Sequence, residues 1–267
     1  RGARMLGLYF SGTGNTRYCM NIFLRSYGEK SQPLAIEDDK TKRTRAYHDL
    51  MKKSLQENEL IVLAYPIYYS NLPKIVYDFI VSHQDEFKGK KVFLMATMGL
   101  FSGDGTGCGA RLLKRYGAEI VGGLHVKMPD CVGDVKLLKK PVIENKEIVK
   151  EAERKIIAAV RWLKEGKPPQ DGLGMMAQLA GLFGQRLWFL NKTRRYSNKL
   201  KIDASKCIGC GKCSQLCPMH NIELAGNKAV PKGKCTMCYR CISNCPKKAI
   251  TLIGKEVYEQ CKVERYI

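Results

Sequence analysis

MLGLYFSGTGNTRYCMNIFLRS, residues 5–26, is the stretch that decides the fold of the first half of this chain. Residues 5–10 form a short apolar run with β-favouring Tyr and Phe. Residues 11–16 are a glycine-punctuated turn rich in hydroxyls, and Cys19, Ile22, Phe23 and Ser26 follow at helical spacing. The order is strand, tight loop, helix. Gly12 and Gly14 let the backbone turn its amides inward, Ser11, Thr13 and Thr16 add hydroxyl donors, and the helix amino terminus adds partial positive charge. Such a nest holds a phosphate. The loop contains no lysine, so it does not spell G-x-x-x-x-G-K, and it is not G-x-G-x-x-G.

Outward from this loop, apolar runs predict strands over residues 32–36, 59–65, 90–97 and 119–128, alternating with helices over 46–56, 73–82, 106–116 and 144–164. Five strands in this alternation imply a parallel sheet covered on both faces, with its ligand beyond the carboxyl ends of the strands. Three loops emerge there: residues 11–16, 65–73 and 97–109. A fourth segment, MPDCVGD at 128–134, follows the fifth strand to the same edge. Asp130 and Cys131 in it are candidate proton donors to a reduced substrate, with Cys108 in the adjacent loop; the plainer reading of each is structural.

Of 12 Cys, eight fall into CIGCGKCSQLCP at 207–218 and CTMCYRCISNCP at 235–246, both C-x-x-C-x-x-C-x-x-x-C-P. Three closely spaced cysteines let one loop wrap three corners of an iron-sulfur cube while the fourth is carried off on the following turn. Zinc sites rarely use a third Cys at the next spacing followed by Cys-Pro, and disulfides are not expected in a chain long enough to bury its own core. A shift of 28 residues also carries Lys206 onto Lys234, Ile222 onto Ile250 and Leu224 onto Leu252, which marks an internal duplication. Ile222 with Leu224 and Ile250 with Leu252 read as two short strands giving this module a minimal core, its remaining stability coming from the metal. Cys19 and Cys261 read as small buried hydrophobes.

Ser11, Thr13, Gly14, Asn15 and Thr16 match the T/S-x-T-G-x-T loop of flavodoxins, and the first half resembles that family. The resemblance implies FMN and a flavodoxin-like doubly wound five-stranded parallel sheet of order 2-1-3-4-5. It also implies ring contacts from Pro66, Tyr68, Tyr69, Ser70 and Asn71 of the second loop and from Thr97, Met98, Gly99 and Phe101 of the third, with Gly12 completing the phosphate loop. The cysteine blocks resemble bacterial two-cluster ferredoxins, which implies a small α+β domain and crossed ligation of two 4Fe-4S clusters. In that scheme Cys207, Cys210, Cys213 and Cys245 hold one, and Cys235, Cys238, Cys241 and Cys217 the other. Together the halves are similar to the flavodoxin and two-cluster ferredoxin fusion proteins of anaerobic microbes. The expected division is a flavodoxin-like domain over 5–165, a join over 166–199, a ferredoxin domain over 200–254 and a tail over 255–267.

The 267 residues carry 46 Lys and Arg against 25 Asp and Glu, a net charge of +21, and 45% are hydrophobic, too apolar for a disordered polycation. The excess is +9 over residues 1–165 and +12 over 166–267. With cofactors loaded it stays near about +15. The basic run NKTRRYSNKLK at 191–201 is expected to dock an acidic redox protein of ferredoxin or flavodoxin type or an anionic small-molecule acceptor. No base-reading module suggests nucleic acid. Within 173–190, Met176, Leu179, Ala180, Phe183, Leu187 and Leu190 make one helical stripe, read as packing between domains, with a homodimer surface or a wall over the flavin as alternatives. Gln178, Gln185 and Arg186 argue against a membrane span. The start has no secretory pattern, so a cytoplasmic location is expected, with Met5 as the native first residue.

The combination implies an oxidoreductase in which single electrons pass through two clusters to FMN, which reduces a small acceptor. The alternative is a carrier that shuttles electrons between proteins and has no substrate of its own.

Overall fold

The protein, in a computed structural model, is described over residues 5–28, 32–37, 45–69, 71–100, 104–174 and 195–267. Ser70, Phe101 and nearly all of the 173–190 stretch, with its dimer and flavin-wall readings, lie outside these residues, as does the start of the basic run.

Strands β1 (Met5–Tyr9), β2 (Leu34–Ala35), β3 (Leu60–Pro66), β4 (Lys91–Met98) and β5 (Glu119–Lys127) form one parallel sheet in the order β2-β1-β3-β4-β5. This is the flavodoxin-like arrangement. Its strands read as continuous apolar runs because both faces are covered. Helices α1 (Asn15–Tyr27) and α6 (Val142–Lys164) cover one face, where Met20, Phe23, Ile156 and Val160 meet Val62, Phe93 and Met95. Helices α2 (Arg45–Glu57), α3 (Lys74–Ser82), α4 (Gln84–Phe87) and α5 (Gly105–Arg115) cover the other, packing Met51, Leu55, Ile80 and Leu113 on Leu8, Ile61, Leu63 and Leu94. Burying each such side chain contributes about 1.5–3 kcal/mol. Among the described residues no helix is long and apolar enough to cross a membrane.

The second half is a small two-fold unit. Helices α7 (Lys212–Leu216) and α8 (Arg240–Asn244) follow the two cysteine loops at the repeat distance. The repeat strands do not pair with each other. β7 (Ile222–Ala225) forms a hairpin with β8 (Lys228–Pro231), while β9 (Ile250–Thr251) runs antiparallel to β6 (Lys201–Ile202). Ile222, Ile250 and Leu252 are buried as expected, but Leu224, two residues further along the β7–β8 hairpin toward its turn, is 47% exposed.

The two halves are bolted together. The buried carboxylate of Asp134, after β5, accepts the Tyr239 hydroxyl at 2.9 Å on one oxygen and the amides of Leu252 and Ile253 at 2.6 and 2.9 Å on the other. Residues 257–266, expected as a tail, return to the first half. Val263 donates its amide to the Thr13 carbonyl, Glu264 pairs with Arg17 at 2.8 Å, and Val263 and Tyr266 are buried with α1 and α6.

Candidate functional site

The carboxyl ends of β1, β3, β4 and β5 open on a cleft of about 420 Å³. Ser11, Gly12, Thr13, Asn15 and Thr16 line one end. Gly14 caps α1 in the left-handed region at φ 99°, and its amide donates to Ser11 Oγ at 3.2 Å. A residue with a Cβ is strained at that angle, and its Cβ would also stand 2.6 Å from Val263. Thr16 and Thr97 share a buried hydroxyl–hydroxyl hydrogen bond of 2.7 Å, and Asn15 Nδ2 donates to the Pro129 carbonyl at 2.8 Å. These bonds tie the loop after β1 to those after β4 and β5.

Pro66, Tyr68, Tyr69, Thr97, Met98 and Gly99 line the flanks of the same cleft. Asn71 does not: its backbone pairs with Tyr68 and its side chain donates to the Tyr69 carbonyl, so it shapes the second loop from behind. Tyr69 stacks on Tyr196 of the join, ring centres 5.7 Å apart. Asp130 and Cys131 line the same cleft. Burial raises the Asp130 carboxyl above its ordinary value, against the pull of the Val132 amide and Lys139, and burial pushes the Cys131 thiol well up. Cys108 is elsewhere. It lies inside α5, beside Asp104 and Arg111, because the glycine-rich stretch expected as loop is already helix from Gly105 onward.

Sequence reading missed the contribution of the second half to this cleft. Met237, Tyr239 and Ile253 of the second half complete the lining. Arg240 reaches behind the phosphate loop, donating to the carbonyls of Ser11 and Gly12 and pairing with Glu37 at 2.6 Å. These contacts fix the backbone of residues 11 and 12 from the second half of the chain. No carboxylate stands within residues 11–16, so the end of the cleft suits an anion, and its Tyr, Met and Pro flanks suit a flat apolar ring. That donor set fits FMN.

The cysteines surround two small cavities. One is bordered by Cys207, Cys210, Cys213 and Cys245, the other by Cys217, Cys235, Cys238 and Cys241. Among the described residues no three His, Cys, Asp or Glu side chains converge as they would on one ion. Four cysteines bordering one cavity are instead the ligand set of a 4Fe-4S cube, which takes one sulfur at each iron corner rather than at its centre. Backbone amides donate to sulfur at Cys217, Cys235 and Cys245 over 3.2–3.4 Å. Amides from Ala229 and Gly209 pull the Cys207 thiol down, whereas burial pushes Cys235 up to about 12 and Cys238 to about 11. A cationic iron core is what would hold the buried thiols ionised. Cys19 and Cys261 are buried.

Residues 199–256 match the family model described as 4Fe-4S dicluster domain. Ferredoxin-2 of Desulfomicrobium norvegicum is 53% identical over 30 residues, 11% of this chain and 51% of that protein, so the chain spans about half the length of the curated relative it matches. Among solved structures, a flavodoxin from the domain Archaea is similar at 15% identity and TM-score 0.40, over 60% of this chain and 99% of that one. The two-electron reduced flavodoxin of Megasphaera elsdenii is similar at 22% identity and TM-score 0.38, over 58% and 99%. Flavodoxin 2 of Bacillus cereus follows at 19% and 0.40, over 58% and 97%. The chain thus carries a flavodoxin-like α/β unit followed by a 4Fe-4S dicluster domain.

Proposed function

We propose that this protein is a cytoplasmic iron-sulfur flavoprotein reductase that holds FMN in the cleft and two 4Fe-4S clusters on its eight paired-block cysteines. The observation that carries this reading is that one cleft is walled by both halves: Met237 and Tyr239 of a cysteine loop line it together with Ser11, Thr13 and Thr16 of the phosphate loop. A flavin supplies one- or two-electron chemistry where clusters supply one electron each, so the pair converts single electrons into a hydride equivalent.

The residues divide that work. Ser11, Gly12, Thr13, Gly14, Asn15 and Thr16 bind the phosphate through amides and hydroxyls. Tyr68, Tyr69 and Met98 exclude water from the ring. Asp130, whose carboxyl keeps its proton to higher pH than an exposed one, holds a proton at the cleft for the acceptor, and the thiol of Cys131 stays protonated beside it. The cavity bordered by Cys207 and Cys210 lies at the surface, where Cys210 and Ile208 are exposed among Lys206, Lys212, Lys228 and Lys247. This is where an acidic redox protein meets the chain.

Anaerobic purification followed by iron, sulfide and flavin analysis tests the reading. About eight iron atoms and one FMN per chain are expected. Reoxidation of the reduced protein against small acceptors and against protein carriers then separates a reductase from a carrier: turnover with a small acceptor supports the reductase, and reoxidation by protein carriers alone refutes it. Absence of FMN refutes both.

A further inference from the structure

The two cysteine loops share spacing, but their backbones are equivalent in a way the side chains are not. Gly209 and Gly211 of the first loop sit in the left-handed region at φ 68° and 71°. A shift of 28 residues carries them onto Met237 and Tyr239, which hold the same conformation at φ 63° and 57°. Glycine takes that region freely, and a side chain with a Cβ does so at a cost. The second loop therefore pays conformational strain that its own duplicate avoids.

The strain coincides with contact to the cleft. Met237 and Tyr239 are 3% exposed and line it, and the Tyr239 hydroxyl is held by Asp134. Between them, the carbonyl of Cys238 abuts Gly12, leaving no room for a Cβ on the phosphate loop. The next position repeats the pattern: exposed Lys212 in the first loop corresponds to Arg240, which grips the Ser11 and Gly12 carbonyls. Three departures from the duplicate, in four consecutive residues, all face the first half. The cysteine cavity itself does not require them, because the first loop borders its own four cysteines without them, while Met237 and Tyr239 also pack in the core of the second half.

We propose that residues 237–240 of the second cysteine loop are the fourth wall of the flavin site: Met237 and Tyr239 hold the ring side, and Arg240 braces the phosphate loop. The cluster on Cys217, Cys235, Cys238 and Cys241 is then the inner one, next to the flavin, and the cluster on Cys207, Cys210, Cys213 and Cys245 the outer one, at the surface. This rests on the reading of the cleft as an FMN site and adds to it which duplicate is specialised and through which residues. Backbone strain at 237 and 239 is retained because only side chains at those angles reach the cleft from a loop whose cysteines are already committed.

The duplicate supplies the test. Met237→Gly and Tyr239→Gly give the second loop the residues the first already uses, so the cysteine cavity keeps a permitted backbone. The holoprotein variants are titrated with FMN after flavin removal, and their iron is counted. The double variant is expected to bind FMN at least tenfold more weakly with iron near the wild-type value. An FMN affinity within twofold of wild type overturns the proposal. So does loss of iron in M237G alone, since that would make the side chain part of the cluster fold. A second measurement does not depend on those variants folding well: the visible absorption and circular dichroism of bound FMN in C210A and C238A. Removing the inner ligand Cys238 is expected to alter the flavin bands and removing the outer ligand Cys210 to leave them unchanged; equal effects overturn the order of the clusters. A wild-type chain that takes up no FMN refutes the proposed function itself, and shows this before any variant is made.

Discussion

Gly12→Ala is the sharpest perturbation of the join between phosphate loop and cysteine loop. A Cβ at Gly12 would stand 2.9 Å from the Tyr68 hydroxyl and 3.0 Å from the carbonyl carbon of Cys238, and closer still to the carbonyl oxygen. Ordinary contact between such atoms begins near about 3.5 Å, so the carbonyl must retreat by roughly 1 Å. It cannot rotate away, because it belongs to the backbone of Cys238, which borders one of the cysteine cavities and whose neighbours Met237 and Tyr239 are buried. Gly12 is not in the left-handed region, so alanine brings no backbone strain there. The cost is therefore steric and falls on the contact between halves. Overpacking costs about 1–3 kcal/mol, and a rigid partner places this case near the upper end. If FMN binds only the closed arrangement, about 3 kcal/mol weakens its binding by roughly a hundredfold. The melting temperature should fall by about 5–10 °C for a chain of this size. FMN titration by flavin fluorescence and a thermal melt measure both. Gly174→Ala, where a Cβ meets nothing within 4 Å, is the control. If G12A binds FMN within twofold of wild type and melts with it, the cysteine loop does not rest on the phosphate loop and the reasoning fails.

Asp134→Ala leaves the Tyr239 hydroxyl and the amides of Leu252 and Ile253 without their acceptor. At about 1–3 kcal/mol for each buried orphan, a loss of roughly 3–5 kcal/mol is expected; a melt within 2 °C of wild type would contradict it. Burial raises the Asp130 carboxyl, so the folded state binds its proton more tightly than the unfolded chain. The contribution of this residue to stability is thus highest at low pH and falls as pH rises from the ordinary carboxylate value through the raised one. Asp130→Asn should flatten that part of a pH series of melts, and an unchanged slope would refute the assignment. Anaerobic chelation of iron should unfold the second half, whose core is small, while the sheet of the first half persists. Limited proteolysis should then cut mainly within residues 200–256, and uniform cutting would count against two separable cores.

The strand, loop and helix of residues 5–27 were legible in the sequence because an apolar run ends in glycines, one of which, Gly14, takes the left-handed region that a tight turn into a helix requires. The sheet was legible because strands buried on both faces leave unbroken apolar runs. The eight cysteines were legible from spacing alone. What escaped reading acts across the chain: Asp134, Tyr239 and Arg240 have ordinary local surroundings, and their roles arise from partners 105 to 229 residues away. Met237 and Tyr239 did leave a trace, since each stands where the duplicate has glycine. The stretch around Cys108 reads both as the end of a loop over 97–109 and as the start of a helix over 106–116, and it is helix. Gly107 and Gly109 suggest a loop, but they serve close packing inside α5, where a Cβ would stand 2.5 Å from the Gly172 carbonyl and from the Tyr65 hydroxyl.

The return of residues 257–266 onto the first half has a consequence for how the protein is made. Residues 11–16 are translated well before Val263, which donates to Thr13 and packs on Gly14 from some 250 residues further along the chain. Between the two come both cysteine blocks. A nascent first half can form its sheet but not the finished cleft, since Met237 and Tyr239 arrive with the second cysteine block and the final clasp, Val263, after it. Completion of the cleft is thereby placed downstream of the synthesis of both cysteine blocks, so the first half alone lacks part of its lining.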